Sequence, residues 1–117
     1  MPDPEMCKVT TVTILATEKI SSVLEKAHYK HIAIFLPANW TTSIITFTGC
    51  STADGTFLPV VFANDVGAVT IASVAASQCI VLNGEIRDAL AAVPYIRIVA
   101  TTTQASTDKV ITIVKTQ

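Results

Sequence analysis

Three cysteines, two histidines and nine acidic residues are the side chains of this 117-residue sequence with reactive chemistry to offer. Their spacing argues against most of it. His28 and His31 lie three apart, which on a helix would put both imidazoles on one face, as a metal site requires. The local pattern instead enters a strand at Tyr29 and sends them to opposite faces, with no carboxylate or cysteine at ligand spacing. Cys7, Cys50 and Cys79 are scattered and odd in number, without a CxxC pair, so they read as buried or free thiols in a reducing compartment. No serine sits in a G-x-S-x-G elbow, and neither GxGxxG nor a P-loop occurs. Asp54, Asp65, Glu85, Asp88 and Asp108 fall at turns or on a short helical stretch, where such side chains usually satisfy backbone N–H groups. They are also too sparse for a calcium ligand set. The sequence therefore predicts no enzyme, no bound metal and no cofactor.

Trp40 admits two readings. As a stacking platform it would hold a sugar ring, with Asn39, Thr41 and Asn64 supplying polar contacts. As a core lid it would bury its ring and donate its N–H to a loop carbonyl.

The elements that must position these residues are strands. Alternation predicts them over 8–15, 29–36, 44–50, 56–62, 68–73, 78–82, 95–101 and 109–115, with 20–24 ambiguous. The segment 29–36 is apolar on both faces, as in a central strand. In 95–101, Arg97 is expected in solvent opposite Ile96 and Ile98. The segment 84–91 breaks the pattern: Asn83 can cap a short helix whose apolar residues Ile86 and Leu90 stand four apart. Asp54-Gly55 is the strongest turn signal, with Ser51 and Asp54 expected to cap backbone donors, Gly55 to take a positive φ and Phe57 to pack into the core. About eight short strands joined by regular turns make an all-β, single-domain antiparallel sandwich, jelly-roll or immunoglobulin-like in strand order. Residues 9–117 would form the sandwich. Residues 1–8, with Pro2, Asp3, Pro4, Glu5 and Met6, would form an extended arm able to lie across a neighbouring subunit.

Composition agrees with that class and narrows the partners. Val, Ile and Thr make up 43 of the 117 residues, and these stiff side chains suit a pleated, half-buried surface. The charged fraction is 15%, against about 25% in ordinary chains, so much of the surface must be Thr, Ser, Asn, Gln and Ala. Such a surface repels neighbours weakly and loses little side-chain entropy when covered. A net charge of −1 lacks the footprint of nucleic-acid binding, and no apolar run approaches the length of a membrane span. The acidic, proline-bearing start is unlike a secretory leader.

The run Leu36-Pro37-Ala38-Asn39-Trp40-Thr41, then Ile44-Ile45-Thr46-Phe47 and Ser51-Thr52-Ala53-Asp54-Gly55-Thr56-Phe57, resembles small virion proteins of tailed bacteriophages. The later segments, an aliphatic strand ending at Leu82 and then Val93-Pro94-Tyr95-Ile96-Arg97-Ile98, resemble the same group, which extends the likeness over about residues 9–114. The turn differs from a sialidase Asp-box, because Asp54 and Gly55 are adjacent and the aromatic is Phe57. The resemblance implies a virion structural protein, most simply a capsid decoration (cement) protein bound to the major capsid protein, or a head-fibre component. It further implies a dimer or trimer assembled in the bacterial host cytoplasm. The alternatives are a carbohydrate-binding sandwich module and a tail or baseplate accessory protein.

Overall fold

The computed structural model describes residues 7–27, 29–63 and 67–117. Alternating β-branched residues build nine strands in these segments: β1 (Cys7–Ile14), β2 (Leu24–Glu25), β3 (His31–Phe35), β4 (Ser43–Cys50), β5 (Leu58–Pro59), β6 (Thr70–Val74), β7 (Cys79–Val81), β8 (Tyr95–Ala100) and β9 (Lys109–Thr116). Among the described residues a single helix, α1 (Gly84–Leu90), lies between β7 and β8.

The strands form two antiparallel sheets. One has the order β1-β9-β3-β7; in the other, β2-β8-β4 is extended by β5 and β6, which both pair with β4. The chain crosses from sheet to sheet at nearly every step, and its first and last strands are neighbours over the full register from Cys7↔Thr116 to Ile14↔Lys109. That winding is a jelly roll, which resolves the strand order that periodicity alone leaves open.

The core fills the space between the sheets. Val12 and Ile14, Ile111 and Ile113, and Ile32 and Ile34 point inward from the four-stranded sheet. Ile45 and Phe47 meet Ile96, Ile98 and Ala100 from the other. Gly49 continues the inward row of β4 at the point where the chain leaving α1 presses closest. A Cβ there would stand 2.5 Å from Val93 Cγ1, so only glycine admits the approach.

Several local expectations are corrected. Cys7 and Lys8 are not arm but the start of β1, paired with Thr116 and Lys115; Pro2, Asp3, Pro4, Glu5 and Met6 lie outside the described residues, as do His28, Asn64 and Asp65. The strand expected over 56–62 shrinks to two residues plus a bridge from Val61 to Ala68, where Pro59 supplies no N–H to a ladder. The helix begins after Asn83, whose backbone is extended as a cap should be, but whose side chain makes no capping bond. The opposite end of the helix is the better held, since the Lys26 ammonium donates to the Ala91 carbonyl at 3.1 Å.

Candidate functional site

Strand parity divides the four-stranded sheet in an unusual way. In β9 the inward row reads Lys109, Ile111, Ile113, Lys115 and the outward row Val110, Thr112, Val114, Thr116. The cations point between the sheets while the valines point to solvent, the reverse of a sheet with one wet face. Register carries the outward rows across neighbouring strands. Val9, Val114, Ala33 and Val81 form one row, and Thr11, Thr112, Phe35 and Cys79 the next. Val110 stands beside Thr13 below them, and Cys7, Thr116 and His31 close the other end. Val9 and Val81 are more than 60% exposed, and Val110, Phe35 and the adjoining Leu15 are exposed as well. Among the described residues, no Lys, Arg, Asp or Glu occupies an outward position of these four strands. The outward face of this sheet is thus contiguous, neutral and largely apolar.

The turned-in lysines are satisfied by carbonyl oxygens. Lys26, the residue after β2, is buried and donates to the carbonyls of Tyr29 at 3.0 Å, Ala91 at 3.1 Å and Ala27 at 3.3 Å. Lys115 donates to the Glu25 carbonyl at 2.6 Å and lies 5.2 Å from the centre of the Tyr29 ring. Lys109, at the far end of the same strand, donates to the Ala105 carbonyl at 2.8 Å and to Thr107 Oγ1 at 3.3 Å. Burial lowers the pKa of Lys26. It does the same to Lys115, assisted by the charge of Lys8 and opposed by that of Glu25. The one ion pair among the described residues, Arg87 with Asp88, lies on exposed helix surface and contributes little.

Trp40 takes the lid position. Its ring is 5% exposed, and Nε1–H donates to the Val74 carbonyl at 3.2 Å, which leaves neither ring face free to stack on a sugar. Its neighbours are occupied too. Asn39 Nδ2 donates to Thr107 Oγ1 at 2.9 Å, and both backbone groups of Thr41 are bonded to the side chain of fully buried Gln104. Trp40, Asn39 and Thr41 thus close one end of the sandwich, with Trp40 as the core lid.

The turn after β4 also differs from expectation. Gly55 does not have a positive φ; it is glycine because a Cβ would lie 2.5 Å from Cys50 Sγ. The Cys50 sulfur faces backbone N–H groups of this turn. Hydrogen bonds from the backbone of Thr52 above all, and of Ser51 and Gly55, lower its pKa against the opposing effect of burial. Phe57 is not in the core. It lies over the outer face of the second sheet, its ring 4.8 Å from Arg97 Cζ, and Arg97 is accordingly covered and not free in solvent. Beside the turn, Leu58, Val60 and Val61 face Ala89, Ala92 and Val93 across an open apolar groove of about 530 Å³.

Cys7 and Cys79 are exposed free thiols on the neutral face, and Cys50 is a partly buried one on the opposite sheet. No cluster of three or more metal-ligating side chains occurs among the described residues. Among them, too, no helix is long and apolar enough to cross a membrane.

Neither a family profile nor any curated protein matches this sequence. Among solved structures, the crystal structure of SPBc2 prophage-derived protein YomS is similar, with a TM-score of 0.54 and 12% identity over 95% of each chain. At that identity the likeness is one of fold.

Proposed function

We propose that this protein is a structural component of a tailed-phage particle: a capsid decoration protein that binds the shell, including its major capsid protein, by contact area and catalyses nothing. The observation that carries the reading is the neutral outward face of β1, β9, β3 and β7, where valines are exposed while the lysines of the same strand are turned inside. Leaving apolar side chains in water is unfavourable by about 25 cal/mol per Å², and a covering partner removes that cost. The fold shared with a prophage-derived protein supports a phage setting, and jelly rolls serve both shell building and sugar binding. The burial of Trp40 favours the first role.

Co-sedimentation with shells of the encoding phage tests the reading. Saturable binding in hundreds of copies per shell, lost in Val81→Glu with the fold intact, is the expected result. A handful of copies would indicate a tail or baseplate accessory, and no binding would end the proposal.

A further inference from the structure

We propose that Arg97, Thr48 and Phe57 form a receptor for a single carboxylate on the outer face of the five-stranded sheet. The Phe57 ring is its flap, closed over two hydrogen-bond donors that the fold leaves unused. The inference is independent of the reading above, because this face belongs to the other sheet and lies across the sandwich from the neutral one.

Register builds the site. Arg97 of β8 stands directly opposite Thr48 of β4, and both alternate with the inward Ile96, Ile98 and Phe47. Phe57 comes just before β5, which pairs with the other edge of β4 and sets Pro59 beside Thr48. The ring therefore reaches Arg97 from the far side of β4, and its centre stands 4.8 Å from Arg97 Cζ. Arg97 Nε and, on the strand between them, Thr48 Oγ1 are closed to solvent, and neither has a hydrogen-bond partner. Among the described residues these are the two buried side-chain polar atoms left without one, and they belong to cross-strand neighbours.

Two unused donors side by side, under one positive charge, specify what they bind. The fold meets its other covered cations with carbonyl oxygens, since Lys26, Lys109 and Lys115 each donate to at least one. Arg97 makes neither a hydrogen bond nor an ion pair among the described residues. Glu25, beside Tyr95 one row along β8, does not pair with it. The Nε–H and Nη–H edge of a guanidinium matches the two oxygens of a carboxylate. The Thr48 hydroxyl can donate a further bond to one of those oxygens. Water would answer the hydrogen bonds and leave the charge uncompensated. Phosphate, with more charge to desolvate beside Phe57 and Pro59, fits less well. Phe57 lies outside the β4–β5 ladder, so its ring swings aside without breaking a strand hydrogen bond. The acid itself is either one with an apolar body or a carboxylated sugar.

The chain has two arginines, so the arginine Nε–H region of a proton–nitrogen NMR correlation spectrum contains Arg97 and an internal control, Arg87. The full chain is titrated with sodium benzoate and, separately, sodium glucuronate at constant ionic strength. Taken to about 20 mM, above the millimolar Kd of a weakly held fragment, at least one acid should shift the Arg97 signal saturably and leave Arg87 unmoved. Benzoate alone would mark the ligand as an apolar acid, and glucuronate alone as a sugar acid. Arg97→Lys keeps the charge and loses the fork, and Thr48→Val keeps the shape and loses the hydroxyl. Read from the backbone amides of β4 and β8, binding should weaken about ten-fold in the first and about three-fold in the second. Both variants should keep the parent's far-ultraviolet circular dichroism spectrum, and Thr48→Val decides the matter should Arg97→Lys unfold. The inference is overturned by the absence of a saturable shift, by an equal shift at Arg87 or by tighter binding of inorganic phosphate than of either acid. Undiminished binding in the folded variants would overturn it as well.

Discussion

Gln104 pairs with Thr41 as one strand pairs with another. The Thr41 N–H donates to Gln104 Oε1 at 2.9 Å, and Gln104 Nε2 returns a bond to the Thr41 carbonyl at 3.0 Å while also reaching the Thr102 carbonyl at 3.1 Å. One buried carboxamide thereby ties the loop bearing Trp40 to the loop before β9. Gln104→Ala strands the buried polar groups of Thr41 and opens a cavity, and should lower stability by about 2–4 kcal/mol. Urea denaturation followed by Trp40 fluorescence measures the loss. A change below half a kilocalorie would mean that the amide is not what holds this end.

Phe57 should behave as a surface residue despite its size. Its ring covers Arg97 on the outside of the second sheet, so Phe57→Ala should cost about 0.5–1.5 kcal/mol, as expected for a lost cation–π contact. Phe47→Ala, in the core, should cost about 3–5 kcal/mol. Equal losses in thermal denaturation of the two variants would contradict the placement of Phe57.

Stability should rise toward alkaline pH. Burial depresses the pKa values of Lys26 and Lys115 below the 10.5 of a free lysine. Between the folded value and 10.5 the unfolded chain holds more protons than the folded one, so raising the pH through that window favours folding. The gain is complete above 10.5 and is lost as the pH falls through the folded value. Lys26→Met removes that lysine's share and should flatten the profile of unfolding free energy in the window just below pH 10.5. An identical slope in the variant would show that Lys26 titrates normally.

Cys50 should be more acidic than an ordinary cysteine thiol, because the backbone N–H groups of its turn, that of Thr52 foremost, stabilise its thiolate. The pH dependence of alkylation, read by peptide mass spectrometry, should place its midpoint below that of a cysteine in a short unstructured peptide. Gly55→Ala, which forces a Cβ against the sulfur, should displace the thiol and raise that midpoint. An unaltered midpoint would sever the thiol from the turn.

The alternation of Val, Ile and Thr made the sandwich legible, and the helix at Gly84–Leu90 stood out because Ile86 and Leu90 broke that alternation. Strand order was not legible, since it depends on which sheet each turn feeds. The turn was misread because its residue types permit several solutions. Gly55 suggests a positive φ, whereas its small size makes room for the Cys50 sulfur, which faces the backbone N–H of Thr52. The neutral face could have been found. Lys109 and Lys115 share the parity of Ile111 and Ile113, which places Val110, Thr112 and Val114 outside once the isoleucines are assigned to the core. Attention to lysine as a solvent residue obscures that step, because its stem packs like a hydrocarbon and its ammonium can be met by carbonyls at the rim.

Strand β9 lies between β1 and β3, in the middle of its sheet, although it comes last in chain order among the described strands. Until residue 116 has emerged from the ribosome, β1 and β3 have no common neighbour and the sheet has a gap at its centre. Folding of this sheet must then wait for synthesis through that point and close the loop between β1 and β9, a long-range step that is intrinsically slow. Nascent chains stalled short of β9 would leave two sticky strand edges exposed, which makes this the stage at which the cell's chaperones have most to do.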